Sequence, residues 1–123
     1  MLLDSNILIY GVTGEHPALD AILDRTDLAV ASVTRIETLG FHRLSELERH
    51  WLETVFERMK ILALDDVVAA RAIALRQERK MGLADAIIAA TALVHQLPLV
   101  TRNVDDFKQV TGLQVKNPFA SGT

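Results

Sequence analysis

Cysteine is absent from the 123-residue sequence, and aromatic residues make up only 5% of it. The missing cysteine excludes disulfide bonds and metal sites built on thiolates, and it suits the reducing cytoplasm. Half of the residues are hydrophobic, so the chain can bury a sizeable core, and the scarcity of aromatics makes that core aliphatic. A chain of this length supports one hydrophobic core. We therefore expect a single domain spanning residues 1–123.

Long hydrophobic runs and an excess of positive charge are also missing. No stretch reaches the roughly 18 uninterrupted apolar residues that cross a bilayer, and Asp4 interrupts any signal-peptide pattern, so we expect a soluble cytoplasmic protein without a membrane partner. The formal net charge of −3 argues against a dedicated nucleic-acid-binding domain, because such domains usually carry a basic excess. The cations nevertheless favour arginine, nine against four lysines, and arginine is the better bidentate phosphate ligand.

Apolar runs bounded by polar residues predict short buried strands. The first is the opening run that ends at Asp4, and the others are predicted at 28–31, 61–64, 97–101 and 113–115. Helical patterns separate these runs, and continuous apolar strands alternating with helices are typical of a parallel sheet covered on both faces. The sequence therefore predicts an α/β fold, a three-layer α/β/α sandwich around a central parallel sheet of four or five strands.

The predicted helices start at capping residues or at a proline. Their starts are Ser5 or Asn6, Pro17, Ser32 or Thr34, Ser45, Asp65 or Asp66, and Leu83, with a short last helix over 103–110. Helical spacing predicts that Ile36, Leu47 and Ile73 face the core. The helix over 83–97 is apolar on almost every side, which predicts that it is buried. We expect the small, polar tail over 117–123 to fray.

Three carboxylates occur at a predicted sheet edge or in a predicted buried helix. Asp4 ends the first strand, Glu37 lies early on the helix after the second strand, and Asp85 starts the buried helix. In an α/β sheet such segments converge on the crevice at the carboxyl ends of the strands. Two charges about 4 Å apart repel by roughly 4 kcal/mol at an effective dielectric of 20, which favours a bound Mg²⁺ or Mn²⁺ ion. Zinc is disfavoured because cysteine and histidine pairs at ligand spacing are missing.

Each of these acids also has a purely structural interpretation. Asp4 can cap the helix that follows it, Glu37 can be a solvated helix residue, and Asp85 can be an acid favoured by the helix dipole. A fourth site residue is predicted just after the fourth strand, where Asn103 leaves the strand end and Asp106 follows about one helical turn later. Either side chain can reach the crevice, so the choice between them stays open.

Four sequence motifs, in order along the chain, resemble the signatures of PIN-domain ribonucleases. They are Asp4-Ser5-Asn6 after the opening strand, the segments 36–41 and 82–92, and the segment 99–103 followed by Asp106-Phe107. Their order and spacing cover almost the whole chain. The compact length is similar to that of the VapC-type toxins of toxin–antitoxin modules. Each motif alone is a weak signal, whereas four in order are specific, and together they imply a PIN-like fold.

The resemblance implies a Mg²⁺- or Mn²⁺-dependent endoribonuclease that cuts RNA, forms a homodimer and is inhibited by a VapB-type antitoxin. By the family pattern, Asp4, Glu37 and Asp85 form the acidic cluster, with Asp4 and Asp85 holding the metal. The family often has an aspartate at the position of Asn103, so the fourth charge is expected from either this position or Asp106. Candidates for a surrounding cationic rim are Arg35, Arg43, Arg79, Lys80 and Arg102.

Three other functions match parts of the pattern. A degenerate PIN domain that binds RNA or protein without cleavage is consistent with the amide at Asn103. A phospho-receiver domain would use Asp65 or Asp66 as acceptor, but it expects paired acids after the first strand and a lysine after a late one. A phosphohydrolase with an aspartyl nucleophile expects an aspartate where the chain has Asn6. The metal-dependent endoribonuclease is therefore the main hypothesis.

Overall fold

The computed structural model describes residues 1–14 and 16–119, which contain a five-stranded parallel sheet. The strands are β1 (Leu2–Leu3), β2 (Ala29–Ala31), β3 (Lys60–Leu62), β4 (Leu99–Val100) and β5 (Val115–Lys116). Their order across the sheet is β3-β2-β1-β4-β5, and each neighbouring pair is parallel. The first strand of the sequence therefore lies at the centre, and the predicted α/β fold with a central parallel sheet is confirmed.

Seven helices connect the strands within the described ranges. They are α1 (Ser5–Thr13), α2 (Pro17–Leu23), α3 (Ser32–Leu39), α4 (Glu46–Glu57), α5 (Asp66–Glu78), α6 (Leu83–Val94) and α7 (Val104–Phe107). None of these helices is long and apolar enough to cross a membrane.

Alternate residues of the central strands β1, β2 and β4 enter two separate hydrophobic cores. Leu2 and Leu99 pack in one core with α5 and α6, whereas Leu3 and Val100 pack in the other with α1 and α4. Successive side chains of a strand point to opposite faces of the sheet, so the two cores lie on its two faces. This arrangement confirms the predicted three layers.

The carboxyl ends of the central strands bring three polar segments to one edge of the sheet. Asp4 directly follows β1, Ser32 follows β2, and Thr101 follows β4. The backbone N–H of Asp4 donates to the carbonyl of Val100 at 2.9 Å, which fixes Asp4 and Thr101 side by side. Ligands of open α/β sheets bind at this edge, so the fold presents Asp4 where a ligand would approach.

Three residues predicted to face the core are exposed, and the prediction is wrong for each. The exposed fractions are 71% for Ile36, 85% for Leu47 and 59% for Ile73. Successive helix residues turn by about 100°, which places each of the three on the far side of its helix from the buried positions. In α3 the buried positions are Thr34 and Thr38, and the Thr38 hydroxyl donates to the carbonyl of Thr34 at 2.8 Å. This bond lets a polar face enter the core.

Helix caps follow the prediction at α4 and α5 and depart from it at α3. Ser45 caps α4 with a reciprocal capping box, and Asp65 caps α5 by accepting a backbone N–H of its first turn at 2.9 Å. The predicted cap at Ser32 or Thr34 is wrong, because α3 already begins at Ser32 and its cap position makes no side-chain hydrogen bond. Thr34 instead lies buried inside the first turn.

The predicted buried helix ends three residues earlier than expected, and its first residue is exposed to solvent. Helix α6 ends at Val94, after which Gln96 adopts a left-handed conformation with φ of 55°. Leu97 then donates its backbone N–H back to the helix at 2.9 Å, so the chain turns before β4 begins. Leu83 is 62% exposed, and the prediction of burial is wrong at this first residue.

The end of the chain is more ordered than the sequence predicts. Strand β5 lies two residues later than expected, and the segment after it packs on the protein. The ring of Phe119 contacts the rings of Tyr10 and His16 edge to face, with centroids 5.5 and 5.4 Å apart. The predicted fraying is therefore wrong as far as residue 119, and residues 120–123 lie outside the described residues.

Candidate active site

Asp4 lies between β1 and α1 and is almost completely buried, with an exposed fraction of 5%. One carboxylate oxygen accepts the backbone N–H of Ser5 at 2.7 Å. The other oxygen accepts the hydroxyl of Thr101 at 2.7 Å and the amide N–H of Asn6 at 3.3 Å. Asp4 also occupies the cap position of α1. Asp4 therefore caps α1, as its structural interpretation predicts. The same hydrogen bonds fix its carboxylate at the edge of the sheet.

Burial raises the pKa of Asp4 above its usual value, because the charged form loses its hydration. The hydrogen bonds from Thr101 and Ser5 lower this pKa, whereas the negative charges of Glu37 and Asp106 raise it. The net direction is upward, so the protein alone stabilises the charged form of Asp4 less than water does. A nearby cation would favour that charged form.

Glu37 is tied to the start of α1 through a serine. The Ser5 hydroxyl donates to Oε1 of Glu37 at 2.6 Å and lies 3.3 Å from the hydroxyl oxygen of Thr34. Ser5 and Thr34 are buried, whereas Glu37 is exposed. Within the described chain, Oε2 of Glu37 accepts no hydrogen bond. One oxygen of Glu37 is therefore held in place, and the other keeps its acceptor capacity.

Asp85 is half-buried in the first turn of α6. Burial raises the pKa of Asp85 to about 6, with further contributions from the negative charges of Asp4, Asp106 and Glu37. The start of α6 has no side-chain cap hydrogen bond, so Asp85 acts there only through the helix dipole. The shared influence on its pKa indicates that the four carboxylates lie in one electrostatic cluster.

The two residues predicted for the fourth position differ in their surroundings. Asn103 is exposed at the cap position of α7, and its side chain makes no cap hydrogen bond; its backbone N–H donates to the Thr101 hydroxyl at 3.0 Å, and its carbonyl accepts the backbone N–H of Asp106 at 3.1 Å. Asp106 is also exposed, but its charge raises the pKa of both Asp4 and Asp85. Asp106 therefore acts electrostatically on both acids, and the choice between Asp106 and Asn103 for the fourth position stays a prediction.

An open groove of about 460 Å³ is lined by two of the clustered acids, Asp85 and Asp106, and by two cations. Its lining residues are Arg79, Lys80, Met81, Gly82, Asp85, Asp105, Asp106 and Gln109. The Arg79 guanidinium donates to the backbone carbonyl of Gln109, which links the end of α5 to the segment after α7. No lysine, arginine or histidine of the described chain forms a salt bridge with any of the four clustered acids. Positive charge thus borders the cluster without neutralising it.

Thr101 is the site residue that sequence analysis missed. It is completely buried at the end of β4, where it donates to Asp4 and accepts the N–H groups of Asn103 and Asn6 at 3.0 and 3.3 Å. The available signal was a hydroxyl residue directly after a predicted strand. Its pairing with Asp4 depends on β1 and β4 being neighbours, a contact between residues 97 positions apart, and local sequence carries no information on it.

Replacing Thr101 by valine is expected to destabilise the protein by about 1–2 kcal/mol, because Asp4 loses a charge-assisted hydrogen bond. It should also raise the pKa of Asp4 further, since the Thr101 hydroxyl lowers that pKa in the natural protein. Chemical denaturation and an NMR titration of the Asp4 carboxyl carbon measure the two effects. Thr101→Ser is the matched control, because it keeps the hydroxyl. Equal values for the valine and serine variants would contradict the assigned hydrogen bond.

The acids match the requirements of a hard divalent cation in part. Within 1–14 and 16–119, no three His, Cys, Asp or Glu side chains form a ready-made metal-binding group. Mg²⁺, however, usually keeps several waters and uses only one or two carboxylates of the protein. Asp4 and Asp85, whose charged forms lack a cation partner and are disfavoured by their surroundings, fit that requirement. The donor set is all oxygen, which suits Mg²⁺ or Mn²⁺ rather than zinc.

Comparisons with known proteins show which family this chain resembles. The PIN domain model matches residues 1–113. Ribonuclease VapC10 of Mycobacterium tuberculosis (strain CDC 1551 / Oshkosh) is 34% identical over 128 residues, which cover 98% of this chain and 93% of that protein. A toxin–antitoxin complex from Klebsiella pneumoniae superposes with a TM-score of 0.79 and 32% identity, over 96% of this chain and 97% of that chain.

A DNA-bound VapBC complex from Salmonella typhimurium superposes with a TM-score of 0.84, over 95% of this chain and 96% of that chain. Its identity of 21% makes it support for the fold alone. The family match over residues 1–113 contains all four clustered acids as well as Thr101. With a relative at 34% identity that covers nearly the whole sequence, this chain belongs to the PIN-domain family.

Proposed function

We propose that this protein is a toxin-type endoribonuclease that hydrolyses phosphodiester bonds of RNA with the help of Mg²⁺ or Mn²⁺. The observation that carries the proposal is the cluster of Asp4, Glu37, Asp85 and Asp106, whose mutual repulsion contributes to the raised pKa of Asp4 and Asp85. The similarity to Ribonuclease VapC10 supports RNA as the substrate. The acids are the candidate catalytic residues, with Asn103 as the alternative to Asp106.

The proposed roles of the residues follow from their contacts. Asp4 and Asp85 would hold the ion, which when bound lowers the pKa of the attacking water and stabilises charge on the phosphate oxygens. Ser5 holds Oε1 of Glu37, which leaves Oε2 as the atom that accepts a proton from the water. Thr101 keeps Asp4 in one orientation. The water oxygen attacks the phosphorus as the bond to the 3′ oxygen breaks, and the departing 3′ oxygen takes a proton from bulk water, which leaves a 5′-phosphate and a 3′-hydroxyl.

The local charge distribution explains how an acidic protein would bind a polyanion. The net charge is −3, and the four carboxylates would repel a phosphate. Arg79 and Lys80 line the same groove as Asp85 and Asp106, so positive side chains border the acids on the path of the substrate. The acids can therefore bind the metal ion while Arg79 and Lys80 attract the phosphates of the RNA.

Metal removal is expected to abolish cleavage without unfolding the protein. Purified protein is incubated with single-stranded RNA and Mg²⁺ or Mn²⁺, with or without excess chelator, and the cut ends are mapped. We expect internal cuts that carry 5′-phosphates, and loss of cleavage of at least a hundredfold in chelator, because metal-ion catalysis supplies several kcal/mol. Circular dichroism checks that the fold persists. Cleavage that continues in excess chelator would refute the metal mechanism.

The proposed partner is a VapB-type antitoxin, which the similarity to the toxin–antitoxin complex from Klebsiella pneumoniae at 32% identity supports. An apolar groove of about 170 Å³ lies between α1, α3 and α4. Its lining residues are Leu8, Ile9, Val12, Glu37, Thr38, Phe41, Leu44, Glu48 and Leu52. Because Glu37 belongs to this lining, a peptide seated in the groove would reach the acidic cluster and block the substrate.

Assembly into a homodimer is part of the same proposal. Exposed apolar residues occur just after β3 and in α5 and α6, where Leu64, Val67 and Leu83 are 48%, 63% and 62% exposed. Apolar exposure of this kind is typical of surfaces that associate. A molar mass of one chain in solution, measured by light scattering, would contradict it.

A degenerate PIN domain that binds without cutting is the second candidate, since Asn103 lacks a charge and its side chain is unengaged in a cap hydrogen bond. RNA binding without metal-dependent cleavage would identify it. The family match gives no support to the phospho-receiver or to the aspartyl phosphohydrolase. Asp65, the receiver's expected acceptor, instead caps α5 through the backbone N–H of Val68.

A further inference from the structure

Arg102 follows Thr101 at the carboxyl end of β4 and is held by two aromatic rings. Its guanidinium carbon lies 4.7 Å from the ring centroid of Tyr10 and 5.0 Å from that of Phe119. The two rings are inclined by 70° to each other, with centroids 5.5 Å apart, so they form an aromatic corner that contacts the cation. The backbone N–H of Arg102 also approaches the Asn6 amide oxygen at 3.4 Å. The side chain is thus oriented at the edge where Asp4 lies.

The guanidinium of Arg102 has unused hydrogen-bonding capacity. In the part of the chain that the structure describes, no residue accepts a hydrogen bond from it and no carboxylate pairs with it. Cation–π contacts use the ring faces and the positive charge, which leaves the five N–H donors for another acceptor. Arg25, in contrast, donates two N–H groups to Asp27 at 2.7 and 2.6 Å. Arg102 is thus an exposed, oriented cation that finds no acceptor among residues 1–14 and 16–119.

We infer that Arg102 binds a backbone phosphate of the RNA next to the phosphate that is cut. The inference rests on the proposed ribonuclease function and adds a substrate-binding residue outside the acidic cluster. Arg102 is adjacent in sequence to Thr101, which donates to Asp4 at 2.7 Å, so the cation lies at the same strand end as the proposed metal ligand. The fork of a guanidinium matches two oxygens of one phosphate.

The aromatic corner explains why Arg102 is suited to binding a phosphate. A free arginine loses side-chain entropy when it binds, and contacts that already orient it reduce that loss. The acids repel the RNA backbone, so attraction for flanking phosphates has to come from cations beside them. A phosphate is favoured over a protein carboxylate because the cation borders the proposed cleavage site, where the backbone of a bound RNA continues on either side of the cut.

The test measures RNA affinity as a function of salt. Binding of a labelled single-stranded RNA is followed by fluorescence anisotropy with Mg²⁺, in an Asp85→Asn background that prevents cleavage. Arg102→Ala is expected to raise the Kd about tenfold and to reduce the slope of log K against log salt by about 0.7, the value for one single-strand phosphate contact. Phe119→Leu keeps the charge, so it should raise the Kd about threefold and leave the slope unchanged.

Arg25→Ala is the matched control, because it removes the same charge just before β2, at the opposite edge of the sheet, and should leave both values unchanged. Thermal unfolding checks that each variant folds. If Arg102→Ala has the same slope as Arg25→Ala, the phosphate contact is refuted. If Arg102→Ala weakens binding of a polyglutamate peptide and not of RNA, Arg102 recognises a protein partner and the inference is overturned. If the Asp85→Asn protein binds no RNA or still cuts it, the proposed function itself fails.

Discussion

Replacing Asp85 by asparagine is expected to slow RNA cleavage by about a thousandfold or more and, without divalent metal, to stabilise the protein at neutral pH. Cleavage falls because one of the two proposed metal ligands becomes a neutral amide, and metal-ion catalysis is worth several kcal/mol, at 1.36 kcal/mol for each factor of ten. Stability rises because the neutral amide removes the cost of burying a charge, and also because it carries no charge for the neighbouring carboxylates to repel.

The pH dependence of this stabilisation follows from the raised pKa of Asp85, which is about 6 in the folded protein against an ordinary value of 3.8. Between these values the folded protein binds more protons than the unfolded chain, so the free energy of unfolding falls as the pH rises. The penalty is absent below about pH 4 and complete above about pH 6. Because the carboxylate is only half-buried, solvent screening reduces it to on the order of 1 kcal/mol.

Urea denaturation in excess chelator measures the effect. At pH 7.5 the free energy of unfolding of Asp85→Asn should exceed that of the natural protein by roughly 1 kcal/mol, and near pH 4 the two should agree. Asp105→Asn is the matched control, because exposed Asp105 lines the same groove and pairs with Lys108 at 3.1 Å. A loss of stability at both pH values would favour the helix-dipole interpretation of Asp85 and contradict charge repulsion.

Local sequence is enough to predict the order of strands and helices along the chain. It also singles out the three candidate acids Asp4, Glu37 and Asp85. An apolar run that stops at Asp4 marks a strand end, and an acid inside an apolar helix, as at Asp85, demands an explanation because burying an unpaired charge is costly. Helix faces are harder to predict. Residues such as Leu47 follow a plausible apolar stripe, yet the core selects the face that carries Leu52 and Phe56 and leaves Leu47 85% exposed.

Contacts between distant segments are the part of the site that local patterns do not contain. In the sequence, Thr101 looks like any polar residue. Its role as the donor that holds Asp4 is visible only because β4 pairs with β1 in the fold. The choice between Asn103 and Asp106 likewise depends on where their side chains lie in the folded chain. Spacing alone treats both residues equally, whereas the charge of Asp106 acts on Asp4 and Asp85 in the folded protein.

Asp4→Asn is expected to abolish cleavage as Asp85→Asn does, but to destabilise the protein by about 1 kcal/mol. The Asp4 carboxylate accepts hydrogen bonds on both oxygens, from Ser5 on one and from Thr101 and Asn6 on the other. An amide offers one acceptor oxygen, so its NH₂ group faces a donor in either orientation. The Thr101 hydroxyl already accepts N–H groups of Asn103 and Asn6, which directs its proton toward Asp4.

A double-mutant cycle with Thr101→Val separates two effects of Asp4→Asn. One is the unfavourable contact between the new amide NH₂ group and a donor, and the other is the gain from no longer burying a charge. In the Thr101→Val background the shorter of the two opposing hydrogen bonds is gone and only the 3.3 Å contact from Asn6 remains, so Asp4→Asn should cost less than in the natural protein, with a coupling energy of about 1 kcal/mol. The measurement is chemical denaturation at pH 7.5 in chelator. Additive losses would contradict the hydrogen-bond explanation. Cleavage should stay lost in both Asp4 variants, because restoring stability does not restore the carboxylate, and activity in either would remove Asp4 from the proposed metal ligands.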